Sequence, residues 1–309
     1  MKEYVKSEKG YCYKILTDGT KKRISEEEYV KAGLKKKSSK KLVGGVSMSK
    51  IIKSSKKLHR KMVGGSTLEE QLSEETKLII ESIDSDKGHV IIKKNVTYIS
   101  DMAFQCCYNL KSIVIPDLVE SIGHSAFESC TSLTSIIIQS SVISSIRSNT
   151  FSDCTSLTSI TIPNSVKSIG DYAFSRCTSL SSINIPDSVI SIGLFVFSIC
   201  TSLTSITIGN SVNSIGNYAF SRCTGLIEIT IGNSVNSIPE NAFMYCENLK
   251  SIVIPDLVNS IKKDAFLGCT NLKYIIILNL DINIHKNSFS GCNKINHFQQ
   301  TNIIIGVNI

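Results

Sequence analysis

The chain has no tryptophan and only five histidines, His59, His89, His124, His285 and His297, which are scattered along it. A general base needs a partner within hydrogen-bonding reach, and none of the five stands near a repeated nucleophile or a carboxylate pair. The G-x-x-x-x-G-K-[ST] phosphate loop, the G-x-S-x-G elbow and the H-E-x-x-H zinc motif are all missing. The chain is therefore expected to be no enzyme and to use no cofactor. Proline is scarce at five residues, and glycine at 18 is too rare for general disorder. No run approaches the roughly 20 apolar residues of a membrane span. Met1-Lys2-Glu3-Tyr4-Val5-Lys6 opens on charge with no apolar stretch behind it, so an ordinary secretory signal is not expected.

What the chain does have is one phrase repeated nine times. Cysteines stand at Cys107, Cys130, Cys154, Cys177, Cys200, Cys223, Cys246, Cys269 and Cys292, at steps of 23 residues broken once by a step of 24. A phenylalanine precedes each by three: Phe104, Phe127, Phe151, Phe174, Phe197, Phe220, Phe243, Phe266 and Phe289. A fixed period in the twenties with several apolar positions per period marks a solenoid, in which one coil cannot bury its own apolar face and stacking neighbours do so.

The clearest unit begins at Ile162-Pro163 and runs through Phe174, Cys177 and Leu180 to Ile185. Leu180-x-x-Ile183-x-Ile185 ends in period-two β-branched alternation, which reads as a short strand with Ile183 and Ile185 inward. Pro186-Asp187 turns the chain. Val189 and Ile192 point inward on the return, and Gly193 is read as a corner needing positive φ. Phe-x-x-Cys-x-x-Leu has helical spacing and is expected to form a turn of helix or 3-10 on the convex side. Each coil then offers about eight buried side chains, and nine coils stacked at roughly 4.8 Å extend on the order of 40 Å. The strands are expected to form one parallel sheet on the concave side.

The pattern Leu-x-x-Ile-x-Ile-Pro-x-Ser-Val-x-x-Ile-Gly-x-x-Ala-Phe-x-x-Cys resembles the BspA-like class of leucine-rich repeats found in bacterial and protist surface antigens. It covers about residues 95–300. The alanine before phenylalanine is replaced by Thr150, Val196 and Ser288, and the proline by Gln139, Gly209, Gly232 and Leu278. One extra residue, read as lying between Val142 and Ile146, should make a bulge. The resemblance implies a right-handed α/β repeat solenoid that binds protein or adheres, and does not catalyse.

The nine equivalent cysteines are read as buried free thiols acting as small hydrophobes, because parallel Cβ vectors suit a disulfide poorly. No C-x-x-C pair exists, which leaves no metal site in view. Cys12 and Cys106 lie off the ladder and are expected to be exposed. Free thiols and the missing signal point to a cytoplasmic or host-intracellular setting; the family resemblance points to a cell surface.

Charge divides the chain. Residues 1–65 hold 19 Lys/Arg against 6 Asp/Glu, and the remainder holds 15 against 20. Tyr11–Leu16, Asp18-Gly19 and Lys22–Ile24 read as a hairpin, and Ser25 with Glu26–Glu28 as the start of a short helix to about Ala32. Residues 1–32 are thus a small basic module and 33–65 a Lys/Ser/Gly linker. Three readings of this leader stand open: a solvated tail, a contact for nucleic acid or an anionic membrane, and a processed segment. The last rests on Lys41-Leu42-Val43-Gly44-Gly45 and Lys61-Met62-Val63-Gly64-Gly65, which are similar to N-termini in proteins of large DNA viruses, some of which are cut after di-glycine. Residues 66–94 form an N-terminal cap and a leading strand. Ser66 and Glu69 make a capping box, and 67–83 reads as one amphipathic helix through Leu68, Leu72, Ile79 and Ile83. Asp84-x-Asp86-x-Gly88 is rejected as a calcium loop, since its glycine comes early and the distal glutamate is missing. The solenoid occupies 95–309. The apolar repeat fades at Gln300, and Ile303–Val307 is read as a strand closing the array.

Outward strand positions form two columns of small polar residues. The candidate protein-binding face is Ser159, Thr161, Ser182, Asn184, Ser205, Thr207, Glu228, Thr230, Val253, Tyr274 and His297. The plain alternative is that these residues only keep the sheet soluble, since the face carries few of the Trp, Tyr and Arg anchors of tight interfaces. The identity of the protein partner and the oligomeric state are not written in the sequence.

Overall fold

The computed structural model describes residues 67–295, and the strands Tyr4–Lys6, Cys12–Ile15, Lys21–Ile24 and His297–Gln300 by their backbone pairing. The chain falls into two units, Met1–Ser47 and Met48–Ile309. In the first, β1 (Tyr4–Lys6), β2 (Cys12–Ile15) and β3 (Lys21–Ile24) form an antiparallel sheet in that order. The predicted hairpin is β2 and β3, in register from Cys12↔Ile24 to Ile15↔Lys21; β1 was not anticipated. The expected helix to Ala32, the 33–65 linker and the closing strand 303–307 lie outside the described residues.

The second unit opens differently from the single helix expected over 67–83. α1 (Leu68–Gln71) and α2 (Glu74–Lys77) are one turn each, and β4 (Ile80–Asp84) follows. Ser73 explains the break: its hydroxyl accepts from the Thr76 N–H and starts a new helix, a competing cap inside the apolar pattern. The capping box is one residue later than read, with Thr67 and Glu70 as its members. Asp84–Gly88 is a hairpin turn, closed by Gly88 N–H to Asp84 O at 2.7 Å with Gly88 at φ +70°. It joins β4 antiparallel to β5 (His89–Ile92), which starts the parallel stack by pairing with Ser112–Ile115. The cap is tied to the first coil by the Thr76 hydroxyl to Ala103 O at 2.8 Å and the Asn109 N–H to Gln71 Oε1 at 3.0 Å.

Each coil then contributes two strands where one was expected. A strand of three or four residues, such as Ser182–Asn184, is followed across a turn by a two-residue strand such as Ser191–Ile192. Both columns pair in parallel at the 23-residue repeat, Ile183↔Ile206 and Ile192↔Ile215. The short strand escaped the sequence reading because two residues carry no alternation. Each column is interrupted twice; the first interruption lies at the 24-residue step, between Ser135–Ile138 and Ser159–Thr161. The extra residue sits earlier than read. Ile143, fully buried, takes the place that Val119 and Val166 hold in neighbouring coils, and Val142 is turned out at 54% exposure. The surplus therefore lies in the 139–142 turn, where the Ser140 hydroxyl donates to Val119 O at 2.6 Å.

The Phe–Cys turn is not a helix. Cys177 N–H bonds Phe174 O at 3.2 Å and Ser175 N–H bonds Tyr172 O at 3.0 Å, the i→i−3 pattern of a 3-10 turn. Tyr172 and Arg176 stand at φ +58° and +62°, however, which stops propagation. The intervening donors cross to the next coil instead: Tyr172 to Leu194 O at 2.8 Å, Phe174 to Val196 O at 3.0 Å and Arg176 to Ser198 O at 2.8 Å. Helical spacing in the sequence came from the inward side chains alone. Gly193 likewise has no positive φ; a Cβ there would lie 2.4 Å from Asp171 Oδ1 and 2.7 Å from Asp171 N of the coil before. Its need is close approach.

Inside, the columns are nearly invariant. Ile183, Ile185, Val189, Ile192, Phe174, Cys177 and Leu180 are all buried, with counterparts in neighbouring coils. The phenylalanine rings from Phe104 to Phe289 stack with centroids 5.0–5.5 Å apart and nearly parallel planes.

Candidate interaction faces

The register of the longer strands lines the candidate residues into rows. Ser159, Ser182, Ser205 and Glu228 stand in one, with Thr161, Asn184, Thr207 and Thr230 beside it. Ser205 is half-buried and the other seven are exposed. Beyond a break in the ladder, Val253 pairs with Ile276 and Tyr274 with His297, so the C-terminal candidates form their own group. Tyr274 is 48% exposed and Val253 39%. At the opposite end of the face, His89 Nδ1 hydrogen-bonds the Ser112 hydroxyl. The face offers hydroxyls and amides with few charges. It can hydrogen-bond an extended partner and, within the described residues, presents no paired acid and base.

The turn side carries a feature that the strand-directed reading passed over. Two residues per turn project from left-handed backbone. The first column runs Met102, Ser125, Asn149, Tyr172, Phe195, Tyr218, Asn241, Asp264, and the second Cys106, Ser129, Asp153, Arg176, Ile199, Arg222, Tyr245 before Gly268 and Gly291. Tyr172, Phe195 and Tyr218 stack with centroids 4.9 and 4.5 Å apart and planes within 6°. Arg176 Nε lies 3.0 Å from Asp153 Oδ1. The Arg222 guanidinium sits 5.1 Å over the Tyr245 ring, a cation–π contact. That ring lies against Gly268, where a Cβ would come within 2.4 Å of it. Ile199, Thr201, Arg222, Thr224, Tyr245 and Glu247 enclose an open cleft of about 360 Å³. The sequence signal was present in Tyr172, Phe195 and Tyr218, one period apart.

The thiols are structural donors. Cys177 Sγ lies 3.1 Å from Phe151 O, and every ladder cysteine from Cys130 to Cys292 makes the same bond at 3.0–3.2 Å to the phenylalanine of the preceding coil, 26 residues upstream or, for Cys154, 27. All described cysteines are free. Burial pushes the Cys223 thiol up to about 12 and holds those of Cys107 to Cys269 above their ordinary range. Such thiols form little thiolate, so they tolerate reducing and oxidising surroundings alike and give no compartment signal. Cys292, half-buried on the last described coil, is shifted the other way by a hydrogen bond from Cys269. Cys106, at the second left-handed position of the first coil, is 6% exposed, against expectation; Cys12 lies outside the residues whose side chains are described. Among the described residues no His/Cys/Asp/Glu group is placed to hold a metal, and no helix is long and apolar enough to cross a membrane.

No curated protein matches the chain. Among solved structures it is similar to a leucine-rich cell surface protein of Faecalibacterium prausnitzii (23% identity, covering 71% of this chain and 92% of that one, TM-score 0.38). It is also similar to the T. pallidum leucine-rich repeat protein (25%, 63% and 88%, TM-score 0.44) and to the pneumococcal vaccine antigen PcpA (22%, 67% and 57%, TM-score 0.41). These likenesses add nothing to the repeat geometry. The model of the BspA-type leucine-rich repeat region does: it matches six copies over residues 85–198 and 167–296, most of the stacked coils. The chain belongs to the BspA-type leucine-rich-repeat family.

Proposed function

We propose that the protein is a non-catalytic scaffold that binds another protein through the exposed face of its longer strands, with the C-terminal coils dominant. The observations behind this reading are the in-register row of hydroxyls and amides from Ser159 to Thr230 and, beyond the break in the ladder, exposed Val253 and Tyr274, the latter paired through its backbone with His297. Such a row offers hydrogen bonds at a constant spacing, and Tyr274 supplies the large amphipathic contact that interfaces favour. The test places a photo-crosslinking side chain at Thr207 or Val253 of the full chain, in source cells. A protein adduct that weakens with Tyr274→Ala at unchanged thermal midpoint supports the strand face. An adduct indifferent to Tyr274, or none, sinks it.

A second reading is favoured by charge alone. The 19 basic against 6 acidic residues of 1–65 suit an anionic lipid surface or nucleic acid. Its signature is binding by the full chain that falls steeply with salt and disappears on removing residues 1–65.

A further inference from the structure

Left-handed backbone is comfortable for glycine, asparagine and aspartate, and uncomfortable for bulky or β-branched side chains. The coils next to the centre hold Asn149, Asp153, Asn241, Asp264, Gly268 and Gly291 at such positions, and the first two coils hold Met102, Cys106, Ser125 and Ser129. The three central coils alone fill both positions with large side chains, Tyr172 and Arg176, Phe195 and Ile199, Tyr218 and Arg222, and Tyr245 follows in the second position of the next coil. A local rule broken in adjacent coils without a buried contact to justify it is where functional residues are expected.

The middle coil is the most altered. Leu194 stands where neighbouring coils have Asp171 and Asn217, and Ile199 where they have Arg176 and Arg222. Leu194 is 41% exposed, Phe195 and Ile199 partly so. Tyrosines and arginines flank this apolar centre on both sides. Of the three arginines beyond residue 66, two lie here. An apolar centre rimmed by Tyr and Arg is the composition of an interface core.

The charges narrow the occupant. Arg176 already has Asp153 as partner. Arg222 has none among the carboxylates of the described residues, and its guanidinium is held in place by Tyr245. Glu247 lines the other part of the same cleft. One carboxylate beside Arg222 is therefore favoured, and a second near Glu247 is repelled, which argues against nucleic acid and other polyanions. The stacked rings turn their faces to one another and their electropositive edges outward, which also suits a single acceptor group.

We propose that the turn face of the central coils is a second docking surface, centred on Leu194, Phe195 and Ile199, for a protein segment that presents a large apolar side chain next to one carboxylate. The probe is a library of displayed twelve-residue peptides selected on the full-length protein. Enriched peptides should carry an apolar or aromatic residue beside Asp or Glu. Their affinity should fall about tenfold or more with Phe195→Ser and with Arg222→Glu, the size of a hot-spot loss. Exchanging the peptide carboxylate for lysine should restore binding to the Arg222→Glu variant. Leu194→Ser provides the same readout should Phe195→Ser unfold, and Tyr274→Ala should change nothing, which separates this surface from the strand face. Three results overturn the proposal: no enrichment, enriched peptides indifferent to these variants, or a dimer seen by light scattering that Phe195→Ser dissolves, which would assign the patch to a second copy of the chain.

Discussion

Phe197 and Phe195 lie two residues apart in one turn, and each stacks on its counterparts one period away. Phe197 belongs to the buried ladder from Phe104 to Phe289, with rings 5.0–5.5 Å apart; Phe195 belongs to a partly exposed stack of three at 4.5–4.9 Å. A period that pairs strands at the β spacing stacks any aromatic repeated on it, inside or out. The inner ladder has its residue type fixed by volume. The outer one is under no such constraint, so its departures from glycine, asparagine and aspartate carry information about use.

The comparison can be broken first at high pH. The buried thiols from Cys107 to Cys269 keep their protons in the fold and lose them once unfolded. Folded values lie above unfolded ones, so this stability is fully present below the unfolded value and is lost as pH rises toward the folded one. Each thiol then costs about 1.4 kcal/mol per pH unit. Denaturation followed from pH 8 to pH 12 should show a steep, multi-proton loss above about pH 9. Replacing Cys154, Cys177 and Cys200 together by alanine should flatten it, and an unchanged slope would refute thiol burial as its cause.

Within one turn, Phe197→Ala should cost about 3–5 kcal/mol in chemical denaturation, while Phe195→Ala costs under about 1 kcal/mol. Equal losses would mean that the outer stack is structural after all. Next in size is Cys177→Ala, which removes the donor to Phe151 O and leaves a small cavity. About 1–2 kcal/mol is expected, with Cys177→Ser no better than alanine, because a buried hydroxyl reaches that carbonyl less well than the longer thiol. The smallest effect carries the opposite sign. Ile199→Asn, at φ +64°, should raise stability by about 0.5–1 kcal/mol, and a decrease would remove backbone discomfort from the case for the turn face.

Most of the fold was legible because each inward column repeats one residue type: Phe174, Cys177, Leu180, Ile183 and Val189 announced the coil, its period and its core. What was missed has local causes. Ser73 divided an apolar pattern that spacing alone joins into a helix. Ser191–Ile192 is too short to alternate. Tyr172 and Arg176 reverse the backbone hand, which residue types at those positions do not announce. The rows of the strand face could be read from the period, since Ser182 and Asn184 flank an inward Ile183. Whether they bind anything has no counterpart in periodicity, and the turn face stayed hidden until the positive φ values placed Tyr172, Phe195 and Tyr218 side by side.

The thiol bond to the phenylalanine of the preceding coil has a consequence for how such a chain changes in length. Each 23-residue unit brings one new donor and one new acceptor, identical to those it covers. Removing residues 186–208 in one piece would join coil to coil with the same ring, thiol and strand partners on either side of the seam. Duplicating them would do the same. Length in this architecture is open to change by unequal recombination without a repacked interior; among the described residues the partners differ at the cap, where Cys107 Sγ faces Gln71 O in place of a phenylalanine carbonyl.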